Sequence, residues 1–404
     1  MTVRRTALCW QLSPLALALL TTSVTALTLA VVGRRPELVA FTAPLLGVLA
    51  GIWGAGRPAT HVLVHAEPAE PRCFERETVP VRVTATAAGG IGTLSVRPRP
   101  PAGIEALPGG LRAGRWGRYR VPVVVTARAA GGLLTATAVV AAIDLRVYPR
   151  PPAARTVVRP NELLDRLGVH IGRMRGGGLE FAGIRPYEPG DPLTKLNWLA
   201  SSRLGRPHVT ERLAERATDV VALIDTTNGC GLDLAVHGAA GIAQAALCRG
   251  DRAGVLALGG PARWLGPDIG RRQFYRIVDT VLDATGGSSG APASPPRAAL
   301  PPRSCVLAFS PLLDARVGPV LADLRARGHT VLVIDVLRRP VTPVDPLITQ
   351  LWRADRAVLR RDLAAAAIPV LPWTEGASLD EVLADARSFS LPRRRTRETA
   401  PGRR

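Results

Sequence analysis

The sequence predicts three structural parts in order along the chain: a hairpin of two membrane helices, a small antiparallel β-sandwich, and a doubly wound α/β domain. Two long uncharged runs near the N-terminus predict the helices of the hairpin, and alternating apolar and polar side chains over residues 58–150 predict the sandwich. Apolar runs typical of buried strands alternate with helical segments over residues 218–390 and predict the α/β domain. The chain has 404 residues, of which 47% are hydrophobic, so it is long enough for two or three domains and wholesale disorder is excluded.

The first 57 residues predict the membrane hairpin. Residues 6–33 and 38–56 carry no charge, and we expect helices at about 7–32 and 38–56. At 1.5 Å per residue each run can cross a hydrocarbon core of ~30 Å. The alternative for the first run is a cleaved signal peptide, but the run is longer than an ordinary signal core and no clear A-x-A site precedes Arg34.

The charges beside the hairpin predict its orientation. Arg34 and Arg35 lie in the link, whereas five arginines lie near the two outer ends: Arg4, Arg5, Arg57, Arg72 and Arg76. Because cytoplasmic flanks carry the excess of Lys and Arg, we expect both ends in the cytoplasm. The chain is thus predicted to be a multi-pass protein of the inner or plasma membrane, with its soluble domains facing the cytoplasm. Five scattered cysteines without a C-x-x-C pair agree with a reducing compartment.

The net charge of +20 first suggests nucleic-acid binding, but its distribution argues against that class. About half of the excess lies in residues 1–150, and more lies in an Arg-rich tail at 391–404, which we expect to be disordered. Residues 220–390 hold 18 Arg against 16 acidic residues, and only 4% of the chain is aromatic. We therefore expect no nucleic-acid partner, and we assign the excess charge to an anionic membrane surface.

Residues 58–150 predict a β-rich, membrane-proximal domain. Apolar residues recur at every second position between Gly and Pro breaks, which is typical of a small antiparallel sandwich. The predicted strands are 61–66, 79–87, 93–98, 119–127, 133–142 and 143–148. This part contains no catalytic constellation, so a spacer or interaction module is the expected role.

Residues 151–217 form a linker region that contains the most informative stretch, residues 168–203. Acids, bases and aromatic residues alternate there around a Glu-Pro-Gly-Asp turn at 188–191, as suits an ordered loop held by charge-assisted hydrogen bonds. Three glycines at 176–178 do not belong to a phosphate-binding motif, so a nucleotide site is not supported. The candidate site residues are Glu180, Phe181, Arg185, Tyr187, Gly190, Asp191, Asn197, Trp198 and Arg203.

This stretch resembles the hallmark of the family catalogued as domain of unknown function 58. Eight of the nine candidates match its pattern; Asn197 lies outside it, and Thr194 and Leu199 replace its usual Arg and frequent Lys. The resemblance implies two membrane helices, a β-rich segment and then a von Willebrand factor A-like domain. It also implies that the candidate residues bind a partner, and that this partner is a MoxR-type AAA+ ATPase.

Residues 218–390 predict the α/β domain. The expected strands are 220–224, 254–258, 305–309, 331–336 and 368–371, and the expected helices are 232–248, 272–282, 315–327, 359–366 and 379–386. In such a fold a site lies at the carboxyl ends of the strands, where Asp225 and Thr227 follow the first strand. By the resemblance, this position carries a cation-binding D-x-S-x-S motif.

The cation motif is incomplete in this chain. Asp225 and Thr227 could supply a carboxylate and a hydroxyl to Mg²⁺, but Gly229 has no side chain for the third ligand. We therefore expect a degenerate metal-ion-dependent adhesion site. The alternative is that Asp225 and Thr227 only hydrogen-bond the loop and cap the next helix.

Taken together, these features predict a membrane-anchored interaction or scaffold protein that acts with the ATPase in assembly or maturation of other complexes. We expect no enzyme activity, no required cofactor and no small-molecule substrate. The alternative is a membrane-bound hydrolase with an unrecognised site, although none of the six histidines lies in a known catalytic motif.

Overall fold

A computed structural model describes ten segments of the chain: residues 2–54, 58–87, 89–152, 175–176, 180–213, 219–259, 262–285, 292–337, 346–374 and 376–385. The predicted disordered tail at 391–404 and most of the predicted linker before residue 175 lie outside them. The chain divides into two units, Met1–Arg150 and Pro151–Arg404, and each is described by itself.

The first unit contains the two predicted apolar helices. Helix α1 spans Pro14–Val32 and helix α2 spans Glu37–Gly54. Both are long and apolar enough to cross a membrane, and this suggests membrane association. The helices contact each other, and the buried positions of α1 are the small residues Ala16, Ser23 and Ala30 at seven-residue spacing. Small side chains at such an interface let two helices approach closely.

The first helix begins seven residues later than the predicted residue 7. Pro14 occupies the first turn, and the Ser13 hydroxyl accepts a hydrogen bond from the Ala16 N–H at 3.1 Å. Strands β1 (Thr2–Ala7) and β2 (Trp10–Leu12) precede it and pair with strands of the same unit. The prediction failed here because an uncharged run is consistent with either a helix or a strand.

The rest of the first unit is made of β-strands. In chain order they are β3 (His61–Glu67), β4 (Arg72–Phe74), β5 (Thr78–Val79), β6 (Arg82–Ala87), β7 (Thr93–Pro98), β8 (Ile104–Leu107), β9 (Gly110–Ala113), β10 (Gly117–Ala129) and β11 (Leu134–Tyr148). The two strands predicted at 133–142 and 143–148 are the single strand β11. The register with β10 shifts between Val121 and Pro122, and this bulge lets one long strand continue through both segments.

These strands form three sheets with orders β1-β3-β6, β2-β11-β10-β7 and β5-β9-β8, while β4 pairs with β11. All pairs are antiparallel except β4 with β11. Every second side chain of β10 is buried, from Val121 to Ala127, and joins Val62 and Val64 of β3 in one apolar core. The period-two pattern of the sequence therefore reports the buried face of these strands.

The second unit begins with a small sheet. Strands β12 (Arg175–Gly176), β13 (Glu180–Pro186) and β14 (His208–Leu213) pair in the order β12-β14-β13. A short helix, α3 (Trp198–Leu204), lies between β13 and β14 in the chain. The stretch predicted as a linker thus has its own sheet and helix.

A six-stranded sheet follows, formed by β15 (Asp219–Asp225), β16 (Arg252–Leu258), β17 (Arg263–Asp268), β18 (Cys305–Ser310), β19 (Thr330–Asp335) and β20 (Val370–Pro372). Its order is β17-β16-β15-β18-β19-β20, and only β17 runs antiparallel to its neighbour. The order reverses between β15 and β18, as in a doubly wound α/β sheet.

In the part of the chain that the structure describes, five helices accompany this sheet: α4 (Leu232–Cys248), α5 (Arg271–Thr285), α6 (Val317–Ala326), α7 (Pro346–Ala365) and α8 (Leu379–Asp385). Helices α6 and α7 cover the face of β18 that carries Val306 and Ala308. Helix α4 approaches the opposite face so closely that a Cβ on Gly238 would lie 2.4 Å from Phe309. Helices therefore pack on both faces, in agreement with the predicted α/β class.

Candidate functional site

The small sheet of the second unit holds the loop that carries four of the nine candidate residues. Tyr187 follows β13, and its backbone N–H donates to Pro207 O at 2.9 Å. The Asn197 N–H donates to His208 O at 2.8 Å, at the start of β14. The loop between these two contacts is thereby closed on the sheet at both ends.

An ion pair between Arg185 and Asp191 spans this loop. The two terminal nitrogens of Arg185 donate to the two carboxylate oxygens of Asp191, each at 2.7 Å. The Glu188 N–H donates to the same carboxylate at 2.9 Å, and Gly190 between them has a φ of +109°. The hydrogen bonds from Arg185 and then from Glu188 lower the pKa of Asp191 to about 2. The Glu-Pro-Gly-Asp turn is therefore held by a bidentate salt bridge between Arg185 and Asp191.

Asn197 organises the start of helix α3. Its side-chain oxygen accepts from the Ala200 N–H at 3.0 Å, and its side-chain nitrogen donates to the Thr210 hydroxyl of β14 at 3.1 Å. The Ser201 hydroxyl donates to Asn197 O at 2.7 Å and accepts from the His208 N–H at 2.9 Å. Asn197 is thus the N-cap of α3, and both polar residues tie this helix to β14.

An open apolar groove of about 500 Å³ lies between this loop and α3. Its lining includes Tyr187, Leu193, Leu196, Trp198, Arg206 and Pro207, and we call it the Trp198 groove. Trp198 is 73% exposed and Leu193 is 69% exposed. Large apolar side chains at this exposure, beside a concave surface, are typical of a binding site for another molecule.

The structure places six of the nine candidate residues around this loop and the start of α3: Arg185, Tyr187, Gly190, Asp191, Asn197 and Trp198. Trp198 and Arg203 are exposed on α3. Glu180 and Phe181 belong to strand β13, where they pair with Leu213 and Arg212 of β14. Their side chains are not among those that the structure describes. Leu193 and Arg206 line the groove but were missed because neither belongs to the motif.

A second cluster lies at the carboxyl edge of the large sheet. Asp225 ends β15, and its buried carboxylate accepts from the Thr227 hydroxyl at 2.6 Å and from the Ser310 hydroxyl at 2.5 Å. Ser310 ends the adjacent strand β18 and also accepts from the Leu312 N–H at 3.0 Å. This is the switch point of the sheet, where the sequence placed Asp225 and Thr227.

The next strand along the edge ends in Asp335, whose side chain is only 3% exposed. Arg356 and Arg360 of α7 both donate to its carboxylate, and the Leu337 N–H donates to it at 3.1 Å. Burial lowers the pKa of Arg356, against the opposing effect of Asp335. Ser310 and this pair of arginines were not predicted from the sequence, although the position of Ser310 directly after a predicted strand was a usable signal.

The oxygen atoms around Asp225 do not form a ligand set that suits a divalent cation. Both carboxylate oxygens of Asp225 already accept hydroxyl protons, and the neighbouring carboxylate, Asp335, is neutralised by two arginines. Among the residues that the structure describes, no group of three or more His, Cys, Asp or Glu could hold a metal ion. A hard cation needs six or more oxygen ligands with several carboxylates or waters, so the geometry favours the hydrogen-bonding interpretation of Asp225 and Thr227.

Residues 183–340 match the family model described as a protein of unknown function, DUF58. Uncharacterized proteins of Mycobacterium bovis (Mb1516) and Mycobacterium tuberculosis (Rv1480) are each 32% identical to the chain over 189 residues. These alignments cover 42% of the chain, and the chain spans 58% of the length of each relative. The resemblance carried by the motif around Arg185 and Asp191 is confirmed, because residues 183–340 of this chain match the DUF58 family model.

Proposed function

We propose that this chain is a membrane-anchored protein-interaction protein that binds its partner through the Trp198 groove. The observation that carries the proposal is the exposure of Trp198 and Leu193 beside a groove whose walls are held by the Arg185–Asp191 pair and the Asn197 cap. Exposed aromatic residues on a rigid support supply binding energy at low entropic cost, because little has to be ordered on association.

The family resemblance points to a MoxR-type AAA+ ATPase as the partner, in the assembly or maturation of other complexes. The same resemblance implies a von Willebrand factor A-like fold for residues 218–390. The doubly wound strand order supports this assignment, as does the position of Asp225 and Thr227 at the end of the first strand of the sheet.

The two apolar helices support anchoring in a membrane, with the soluble parts on the cytoplasmic side. Both outer ends of the hairpin continue into the strands of the first unit: β2 precedes α1, and β3 follows α2 in the chain. Both ends therefore belong on one side of the membrane, and the arginine excess beside them favours the cytoplasmic side.

The hydrogen bonds made by two serine hydroxyls favour a binding function over hydrolysis. Ser201 is engaged by two backbone groups, and Ser310 donates to a buried carboxylate rather than to a base that could remove its proton. A serine nucleophile requires a general base within hydrogen-bond reach. Neither described arrangement supplies one, so both serines have a structural role in the proposal.

The test is an affinity capture with the full chain from detergent-solubilised membranes, with bound proteins identified by mass spectrometry. We expect an AAA+ ATPase among the captured proteins. Trp198→Ala should reduce its recovery on the order of tenfold or more, which is the loss expected when one anchor residue of an interface is truncated. Trp264→Ala is the matched control, because Trp264 is also an exposed tryptophan, at 44%, but lies on β17. Equal recovery by the Trp198 and Trp264 variants, or recovery of no AAA+ ATPase, would overturn the proposal.

A further inference from the structure

We infer that the Trp198 groove takes an acidic peptide segment of its partner, with an aromatic or aliphatic side chain as the anchor. This inference rests on the proposed function, because it names the chemistry of the partner at the same surface. It is carried by the shape of the groove, the charge around it and the rigidity of its walls.

The shape of the groove suits a single apolar anchor. One wall is the face of α3 that carries Trp198, Ser201 and Ser202, at the i, i+3 and i+4 spacing of a helix face. Leu193, Leu196 and Pro207 complete the apolar lining. A volume of about 500 Å³ is in the range of pockets that bury a small ligand, so one large side chain and its flanking backbone can enter.

The charge around the groove is positive. Lys195, Arg203 and Arg206 are exposed, and none of them forms an ion pair or side-chain hydrogen bond with the residues that the structure describes. The nearby carboxylate of Asp191 is engaged by Arg185, which leaves Glu188 as the exposed acid of this loop. A segment rich in Asp and Glu would therefore find complementary charge beside the apolar lining.

The walls of the groove are organised before any ligand arrives. Leu193 and Leu196 lie in a turn closed by backbone hydrogen bonds, and Leu196 forms an isolated bridge to Val209 of β14. Helix α3 ends at Leu204, and the φ of +68° at its C-cap residue, Gly205, makes the turn toward Arg206. A preformed concave surface favours a peptide over an anionic membrane, because lipid headgroups present a broad surface that does not fill a groove.

The test uses the full chain in phosphatidylcholine nanodiscs and a random-peptide phage library. We expect the selected peptides to carry more Asp and Glu than Lys and Arg around a Phe, Trp, Leu or Ile. Reversal of two cations, Lys195→Glu with Arg206→Glu, should weaken a selected peptide on the order of tenfold, since each exposed pair contributes roughly two- to fivefold. Arg272→Glu on α5 is the matched charge control and should leave the affinity unchanged; Arg272 is also exposed. Unchanged thermal midpoints would show that the variants are folded.

Selected peptides without an acidic excess, or affinity that is insensitive to the double reversal, would overturn the inference. If no peptide is selected, the next measurement is quenching of tryptophan fluorescence by brominated lipid in phosphatidylglycerol nanodiscs. Weaker quenching in Trp198→Phe than in the wild type would show that the groove contacts the membrane. Equal quenching in the two proteins would leave the groove without a ligand, and both results contradict the inference.

The capture experiment distinguishes the two failures. If the ATPase is lost with Trp198→Ala but retained by the double reversal, the proposed function holds and the acidic-peptide inference fails. If the library yields acidic peptides that bind the groove, but the Trp198→Ala variant still captures the ATPase, the acidic-peptide inference holds. The assignment of the groove as the surface that binds the ATPase then fails.

Discussion

Asp191 accepts hydrogen bonds from both terminal nitrogens of Arg185 and from the Glu188 N–H. At the other site, Asp225 accepts from two hydroxyls and is buried. The first carboxylate is stabilised by an opposite charge at the surface, and the second by neutral donors in the interior. The two residues therefore respond differently to loss of a partner.

The titration of Asp191 tests the surface pair. Because its folded pKa is depressed to about 2, the contact stabilises the fold fully above the unfolded pKa of about 4 and is lost as pH falls toward 2. In Arg185→Gln, the largest cause of the shift is removed, so the midpoint should rise toward about 4. The carboxyl ¹³C shift of aspartate-labelled protein measures both values. A wild-type midpoint near 4 would contradict the observed bidentate geometry.

The buried cluster predicts a cost for Ser310→Ala. The substitution removes a donor to Asp225 Oδ2 and the acceptor of the Leu312 N–H, both of them buried. Leaving buried polar groups unpaired should lower the free energy of unfolding by about 1–3 kcal/mol. Denaturant unfolding in detergent measures it, with Ser202→Ala as control. Ser202 is exposed and bonds only within α3, so its loss should cost less than about 0.5 kcal/mol, and equal costs would refute the role of Ser310.

At the scale of elements, buried and periodic segments were the ones that the sequence predicted best. Helix α4 has the predicted bounds, and β15, β16, β18 and β19 lie within two residues of theirs. Their apolar runs are buried on both faces, so hydrophobic pattern and structure coincide. The edge strand β17 was missed, because it contains Gly266 and Pro267 and is largely exposed.

The predictions failed where the apolar pattern does not report burial. Helix α7 begins at Pro346 rather than at 359, and its first half exposes Leu347, Ile348 and Leu351. The candidate loop was recognised by its motif, but the contacts that organise the second cluster join residues far apart in the chain. Ser310 is 85 residues from Asp225, and no local spacing predicts that contact.

Helix α3 gives a test at this scale, because it has only seven residues and depends on its cap. Asn197→Ala removes the acceptor for the Ala200 N–H and the donor to Thr210, and should destabilise the helix by about 1 kcal/mol. Faster hydrogen exchange at the Ala200 and Ser201 amides is the measurement. Asn197→Asp keeps the cap acceptor and should retain most of the protection; equal exchange in the two variants would disprove the capping role.

At the scale of the whole molecule, the N-terminal strands alter how the two apolar helices are understood. Arg4 and Arg5 lie in β1, where they pair with Val64 and Leu63 of β3, so they belong to a folded sheet as well as to the membrane flank. In the chain, the two apolar helices therefore lie between strands of one unit. The two helices contact each other, and strands of the β-rich part precede the first helix and follow the second in the chain.

This arrangement predicts the topology of the chain. A reporter fused after residue 404 should give a cytoplasmic signal, and one inserted in the link beside Arg35 should report the far side of the membrane. The arginine excess at the outer ends favours this orientation, and the strands that continue from both ends require those ends to share a side. Fusions active in the cytoplasm and fusions active only after export provide complementary readouts. A far-side signal after residue 404 would reverse the orientation, and the same signal at both positions would show that the helices do not form a spanning hairpin.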